Sequence, residues 1–344
     1  MSFGIPGNRR IRGFGRLAAA ACALAAALAQ AASQGRISWT EENDGIISPA
    51  DRHYTQGGLL SFLSPPLDRR GFWNASFDGL GRVLPGFRGE EGSQRRIEWQ
   101  LGQSQFTPAN IERRNPNPRD RPYAAWLYTG VEWLQENHDG RLHEIDAQIG
   151  IIGPGAGGQV MQNGFHTVFN FTRARGWNQQ LPNRAALQFS YQYRRRLQPW
   201  STELFDVVPQ AGLSLGTVLR DAELGLLLRT GNALASDYGP ERVRPALSGG
   251  GFVDTGRAAP RPGFSFFAGA QLRRVLYNHF IDESDQVAAK GLERLPWVDD
   301  LVCGASYALG DGLRVDLTAT RRSPEFETQR DFDVYGAVTI SGAL

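Results

Sequence analysis

The sequence predicts an all-β fold: a transmembrane antiparallel β-barrel of about 12 strands, with a short helix inserted between strands. Three observations lead there. Apolar and polar residues alternate with a period of two in segment after segment, the polar sides of those segments carry Asp, Glu, Gln and Arg well inside the run, and the chain opens on a secretory leader. The composition agrees. Forty-one Gly, 19 Pro and 10% aromatics against only 2 Met suit strands and turns rather than a helical bundle. Those aromatics, together with 37 basic residues that nearly cancel 35 acidic ones, exclude a disordered chain.

The leader comes first. Arg9, Arg10, Arg12 and Arg16 precede a small apolar run from Leu17 to Ala29, and Ala27, Ala29 and Ala31 offer cleavage-compatible positions near 29–31. Thirteen residues fall short of the roughly 20 that a spanning helix needs. The expected division is therefore a signal peptide over 1–29 and a barrel domain over 30–344. The leader holds four arginines and no acid, so the exported part has 33 basic against 35 acidic residues, a net charge of −2. That balance argues against a nucleic-acid partner. Cys303 alone remains, which excludes an intramolecular disulfide and a cysteine metal cluster.

The strands follow in order. After segments near Ile37–Glu42 and Tyr54–Ser64, apolar faces recur: Ile97, Trp99, Leu101; Ala125, Leu127, Val131, Trp133; Ile145, Ala147, Ile149, Ile151; Leu187, Phe189, Tyr191, Tyr193. Further on come Ala211, Leu213, Leu215, then Ala222, Leu224, Leu226, Leu228, then Phe264, Phe266, Ala268, Ala270, Leu272. Leu301 to Leu309, Leu313 to Ala319 and Phe332 to Ile340 end the series. A soluble β-sandwich also alternates. Strands of about 10 residues with ionic inner faces favour a bilayer-spanning barrel. So do Trp99, Tyr123, Trp126, Trp133, Tyr191, Tyr193, Tyr277 and Tyr307, expected to form aromatic girdles.

The alternation breaks between Ile152 and Ala185. After the turn Gly153–Gly158, residues Gln159, Gln162, Asn163 and His166 fall on one helix face within an arc of about 100°. The plain reading is a loop helix whose polar stripe meets the polar lumen. Two other clusters stand out. Asn43-Asp44-Gly45 leaves the first strand and Asp51-Arg52-His53-Tyr54-Thr55 enters the second, a pattern that tight-turn chemistry alone explains. The loop Asn110–Arg121 carries four arginines against two acids, suited to phosphate or simply to solvent. Gly212-Leu213-Ser214-Leu215-Gly216 matches a nucleophile-elbow pattern, but Ala211, Leu213 and Leu215 continue a strand, so Ser214 is expected to face the lumen.

Taken in order, these clusters resemble the outer-membrane lipid A 3'-O-deacylases. The matching features are Asn43-Asp44, Tyr54-Thr55, Asp120-Arg121-Pro122-Tyr123, Ile151-Ile152-Gly153-Pro154, Gln162-Asn163-x-x-His166 and Gly176-Trp177-x-x-Gln180. The resemblance implies a twelve-stranded barrel in the Gram-negative outer membrane that acts on lipid A (lipopolysaccharide) and removes its 3'-linked acyloxyacyl chain with Ca²⁺. Residue by residue it implies His166 as the catalytic histidine, Gln162 and Asn43 as catalytic positions, Asp44 and Thr55 as metal positions, and Arg113 and Arg114 as the phosphate-facing segment. Some members carry an acidic residue soon after the histidine, and Thr167 to Arg175 holds none. The chemistry is coherent: ester hydrolysis needs a nucleophile, a base and a stabiliser for the oxyanion, and His166 with water supplies the first two. The competing readings are another outer-membrane lipid esterase of phospholipase type, and a porin or structural barrel.

Overall fold

A strand that alternates apolar and polar residues has two unlike faces, and its edges must find partners before it can enter lipid. Here twelve strands solve both demands in one closed antiparallel barrel, each pairing with its sequence neighbours and the first with the last. They are β1 (Arg36–Asn43), β2 (His53–Leu63), β3 (Gln94–Thr107), β4 (Ala124–Glu136), β5 (Arg141–Ile152) and β6 (Arg184–Arg195). The second half is β7 (Phe205–Gly216), β8 (Leu219–Gly231), β9 (Gly263–Asn278), β10 (Trp297–Ala308), β11 (Arg314–Arg322) and β12 (Asp333–Ala343). This computed structural model describes residues 35–47, 51–67, 71–197, 200–234, 237–239, 262–286, 292–309 and 312–344. The expected signal peptide lies outside the described residues.

The barrel is inside-out relative to a soluble protein. In β8, Leu224, Leu226 and Leu228 are exposed while Asp221, Glu223 and Arg229 are buried in the lumen. The lumen is filled by paired polar side chains. Gln100 donates to Glu132 at 3.1 Å and Gln192 to Glu223 at 3.2 Å. Nearer the end where β1 begins and β12 ends, Arg229 bridges Asp206 and Asp237, and Arg314 reaches Asp237 and Asp316, each at 2.7 Å. Ser214 faces this interior, 3.3 Å from Ser190 Oγ, as the strand alternation predicts.

Two girdle expectations need correction. Trp126 is one residue out of phase with the outward Ala125 and Leu127, so it turns inward, fully buried and stacked on Tyr128 with ring centroids 4.2 Å apart. Tyr123 precedes β4 and is buried in a small core between loops. Trp99, Trp133 and Tyr307 do face outward.

Among the described residues three helices decorate the barrel, where the sequence pattern suggested one. The expected one is α2 (Gly158–Phe169). The unforeseen α1 (Phe72–Val83) packs Trp73, Phe77 and Leu80 against the outward residues Ile97, Trp99, Val131 and Trp133. Trp133 Nε1 donates to Ser76 Oγ at 2.8 Å, and Arg95 ties the helix through Asp78 at 2.9 Å. Gly79 and Gly81 inside α1 lower its intrinsic helix propensity, so tertiary packing decides its state. The third, α3 (His279–Asp282), is a single turn.

The described parts of the connections, 44–47, 51–52, 108–123, 153–183, 217–218, 279–286, 292–296 and 323–332, lie at the end opposite the one where β1 begins and β12 ends. This is called the loop end below. Side chains pair across the lumen at several levels among the described residues, so the refolded chain in planar bilayers is expected to give no sustained ohmic conductance. Large stable current steps would show instead that the interior is open.

Candidate active site

The site grows from three segments at the loop end. β1 stops at Asn43, whose Oδ1 accepts the Gly45 N–H at 2.6 Å and so caps a single 3-10 turn, Asp44–Ile46. That cap turns Asp44 inward, where its carboxylate is buried and its Oδ2 accepts the Arg52 N–H at 2.7 Å. Thr55, just inside β2, is buried with its Oγ1 2.6 Å from Thr107 Oγ1.

α2 supplies the imidazole. It begins after Gly157 at φ +75° and ends at Asn170, φ +62°, a left-handed position that Asn tolerates well. The reversal brings the Phe171 N–H onto the His166 carbonyl at 2.8 Å and folds the next residues back over the helix. Asn163 fastens the fold-back, donating to the Ala174 carbonyl at 3.1 Å and accepting its N–H at 2.9 Å. The Thr172 carbonyl thereby accepts a hydrogen bond from His166 Nδ1, which leaves Nε2 as the atom facing the cleft. The expected polar stripe is divided: Gln162 and His166 are buried, Asn163 is half-buried and Gln159 is exposed.

His166 Nε2 lies 3.1 Å from Asp51 Oδ2. Gln162 Nε2 donates to Asp51 Oδ1 at 3.1 Å, and Gln162 Oε1 accepts from Trp177 Nε1 at 2.7 Å. An indole N–H only donates, so Trp177 dictates which end of the Gln162 amide faces it and which is offered to Asp51. Thr167–Arg175 holds no acid, and Asp51 reaches the histidine instead from the β1–β2 connection.

Asn43, Asp44, Asp51, Thr55 and His166 open onto one cleft of about 730 Å³, walled by the stretch 109–112 and by Phe165 and Phe171. Gln162 sits behind it. Arg113 and Arg114 are exposed and lie just past the wall, outside the lining. The 108–123 loop is held in place by buried ion pairs. His53 spans Asp333 at 2.8 Å and Asp120 at 3.5 Å, and Arg121 pairs with Glu325 at 2.9 Å while its guanidinium covers the Phe106 ring at 4.7 Å.

A family model described as outer membrane protein LpxR matches residues 17–344. The chain belongs to the LpxR family. This is the outer-membrane lipid A deacylase family that the sequence motifs resemble. Among solved structures, LpxR from Salmonella typhimurium superposes with a TM-score of 0.69 at 19% identity, over 90% of this chain and 100% of that one; the likeness is one of fold. The β domain of the Bordetella autotransporter BrkA aligns at a TM-score of 0.42 and 12% identity, over 90% of this chain and 98% of that one. The translocator domain of NalP from Neisseria meningitidis aligns at 0.41 and 10%, over 98% and 100%. No curated protein matches the chain by sequence.

Within this LpxR-family site the charges are uneven. Burial pushes the Asp44 carboxyl up to about 9, and the neighbouring Asp51 charge adds to the shift. Burial alone would lower His166, but the Asp51 carboxylate and the Thr172 carbonyl outweigh it and raise the imidazole above its ordinary value. A raised histidine contributes stability below the ordinary imidazole pKa, and that contribution is lost as pH rises through the raised folded value. Asp51→Asn removes the strongest support for the imidazolium. The His166 titration, followed by NMR on the detergent-solubilised barrel, is therefore expected to move to lower pH. An unshifted midpoint would mean that Asp51 does not govern this histidine.

Proposed function

We propose that this chain removes the 3'-linked acyloxyacyl chain of lipid A by ester hydrolysis, with His166 as general base and Ca²⁺ as cofactor, after export by a cleaved leader over 1–29. One observation carries the reading beyond family membership. The pair of a buried imidazole and a half-buried carboxylate opens beside an apolar surface, because α2 turns its polar face inward and leaves Val160, Met161 and Val168, with Phe171 beyond, exposed at the loop end. A helix that exposes its apolar side beside a polar cleft suits a substrate that is itself half lipid.

The chain's own residues divide the work as follows. With Nδ1–H committed to Thr172, Nε2 takes a proton from the attacking water as its oxygen bonds to the acyl carbonyl carbon. Asp51, 3.1 Å away, stabilises the imidazolium, and Gln162 holds Asp51 in line. Asn43 Oδ1 is occupied by the Gly45 N–H, so its Nδ2 is the end that donates to the developing oxyanion. Collapse of the tetrahedral intermediate breaks the bond to the sugar oxygen, and Nε2 returns its proton to that leaving alkoxide. Arg113 and Arg114, exposed at the rim, serve the lipid A phosphates.

The donor set fits a hard divalent cation. Among the described residues no group of three or more His, Cys, Asp and Glu converges. The buried Asp44 carboxyl, raised to about 9 by burial and by the Asp51 and Asp333 charges, nevertheless shares its cleft with Asn43, Asp51 and Thr55, side chains that carry oxygen donors of the kind Ca²⁺ prefers. Asp44 and Thr55 would hold the ion with main-chain oxygens, and when bound it supplies a Lewis acid for the ester carbonyl.

Two experiments test this. His166→Ala is expected to leave a folded, heat-modifiable barrel and to lower lipid A deacylation, read by mass spectrometry, by at least about 10²-fold, the scale of a lost general base. Ser214→Ala serves as the matched control and should stay near wild type; near-normal activity in folded His166→Ala would remove the histidine from the mechanism. Chelation with EDTA should abolish activity and Ca²⁺ restore it, with Asp44→Asn needing more Ca²⁺ for half-maximal rate because an anionic ligand is gone. Full activity of the chelated, metal-free enzyme would refute the cofactor.

A further inference from the structure

Across the barrel from the cleft, the outward face of β6–β10 carries a feature that hydrolysis does not use. Arg274 stands on the lipid-facing side of β9, between the exposed Leu272 and Leu276, with Ala222 of β8 and Trp297 of β10 as its cross-strand partners. An arginine is costly at mid-depth on the lipid face of a barrel and is tolerated close to the interface. Arg274 lies four residues before β9 ends at the loop end, so it belongs to the interfacial zone. Its guanidinium covers the Trp297 ring at 5.2 Å. The same arrangement recurs at this end, with Arg220 over Tyr277 at 4.9 Å and Arg321 over Phe332 at 4.5 Å. Stacking a guanidinium on an aromatic face leaves the edge of its fork directed outward, the geometry that donates paired hydrogen bonds to phosphate.

Beside Arg274 the wall is hollow. A groove of about 410 Å³ runs over Ala211 and Ala222, two small residues set among Tyr191, Tyr193, Leu272 and Trp297. The tyrosines lie near the far end of β6, so the groove leads from the cation at the interface towards the middle of the apolar band. A cation at headgroup level above an apolar trough has the shape and charge of an anionic lipid's complement.

We propose that this groove is a non-catalytic lipid site, in which Arg274 holds the phosphate of an acylated outer-leaflet lipid and the Ala211–Ala222 trough holds one of its acyl chains. The site shares with the proposed function only the orientation of the loop end towards the outside, and it does not depend on hydrolysis.

Native mass spectrometry of the full chain in non-ionic detergent tests it, using phosphatidylglycerol and phosphatidylcholine of identical acyl chains. Wild type is expected to retain phosphatidylglycerol at about tenfold lower concentration than phosphatidylcholine, the scale of a charge-assisted hydrogen-bonded contact. Arg274→Gln should erase that preference and Arg274→Lys keep part of it. Ala222→Phe, a lipid-facing change that fills the trough, should weaken both lipids. Ala211→Leu gives a milder filling should the phenylalanine hinder folding. His166→Ala should bind as wild type does, which separates this site from the catalytic reading. Equal retention of the two lipids by wild type, a preference that survives Arg274→Gln, or unaltered binding after the trough is filled would each overturn the proposal. So would displacement of phosphatidylglycerol by equimolar inorganic phosphate, since that would make it an anion site without a lipid.

Discussion

Closure of the sheet between β1 and β12 is the constraint on which the other features depend. In a bilayer no water is at hand for an unpaired backbone group, so an open edge is excluded and the strands must form a ring. β1 zips to both neighbours along its whole length, Arg36 to Ala343 at one end and Asn43 to Gly336 and Gln56 at the other. A slip of one residue would turn every apolar side chain into the lumen and every ionic one into lipid, which pins the register. Closure therefore fixes where β1 stops, and with it where Asn43 caps its turn and Asp44 points inward.

At the lip of the closed ring, carboxylates crowd into a region with little water, and each is answered differently. Asp333 is met by His53, by Gln329 at 3.0 Å and by Arg52 at 3.4 Å. Asp51 is met by His166 and Gln162. Asp120 would be raised by burial, yet hydrogen bonds from His53 and from the Ala109 N–H hold it below the usual carboxylate range. Asp44 is raised by burial, and among the described residues it receives backbone N–H groups against the charges of Asp51 and Asp333. Burial raises Asp44 and would raise Asp120, and for these two the partners decide the direction that results.

The outside of the barrel obeys the complementary rule. Most exposed lipid-facing positions are apolar, and several that are not purely apolar sit near the strand ends: Trp133 bonded to α1, and three arginines each laid over an aromatic ring. α1 and α2 follow different logic. α1 buries its apolar side on the wall, whereas α2 buries amide and imidazole because its neighbours are loops that carry Asp51 and Trp177 rather than a hydrophobic surface.

Strand number, face assignment and the lumen position of Ser214 were legible in the sequence because a barrel strand repeats every two residues and the pattern is local. The α2 stripe was legible too, as was the grouping of Asn43, Asp44, Thr55 and His166, through ordered motifs that resemble a family. The inward turn of Trp126 was readable from the phase of its own strand. α1 was not, since two interior glycines and one-sided packing make its helix a product of the β3–β4 wall. Asp51 looked like turn chemistry, because nothing local announces a partner at position 166, more than a hundred residues away. What the sequence by itself determined was what has a short period: the strands and their two faces. What only the tertiary structure decided was which charges meet, since ring closure, rather than proximity along the chain, brings Asp51, Gln162, His166 and Trp177 to one place.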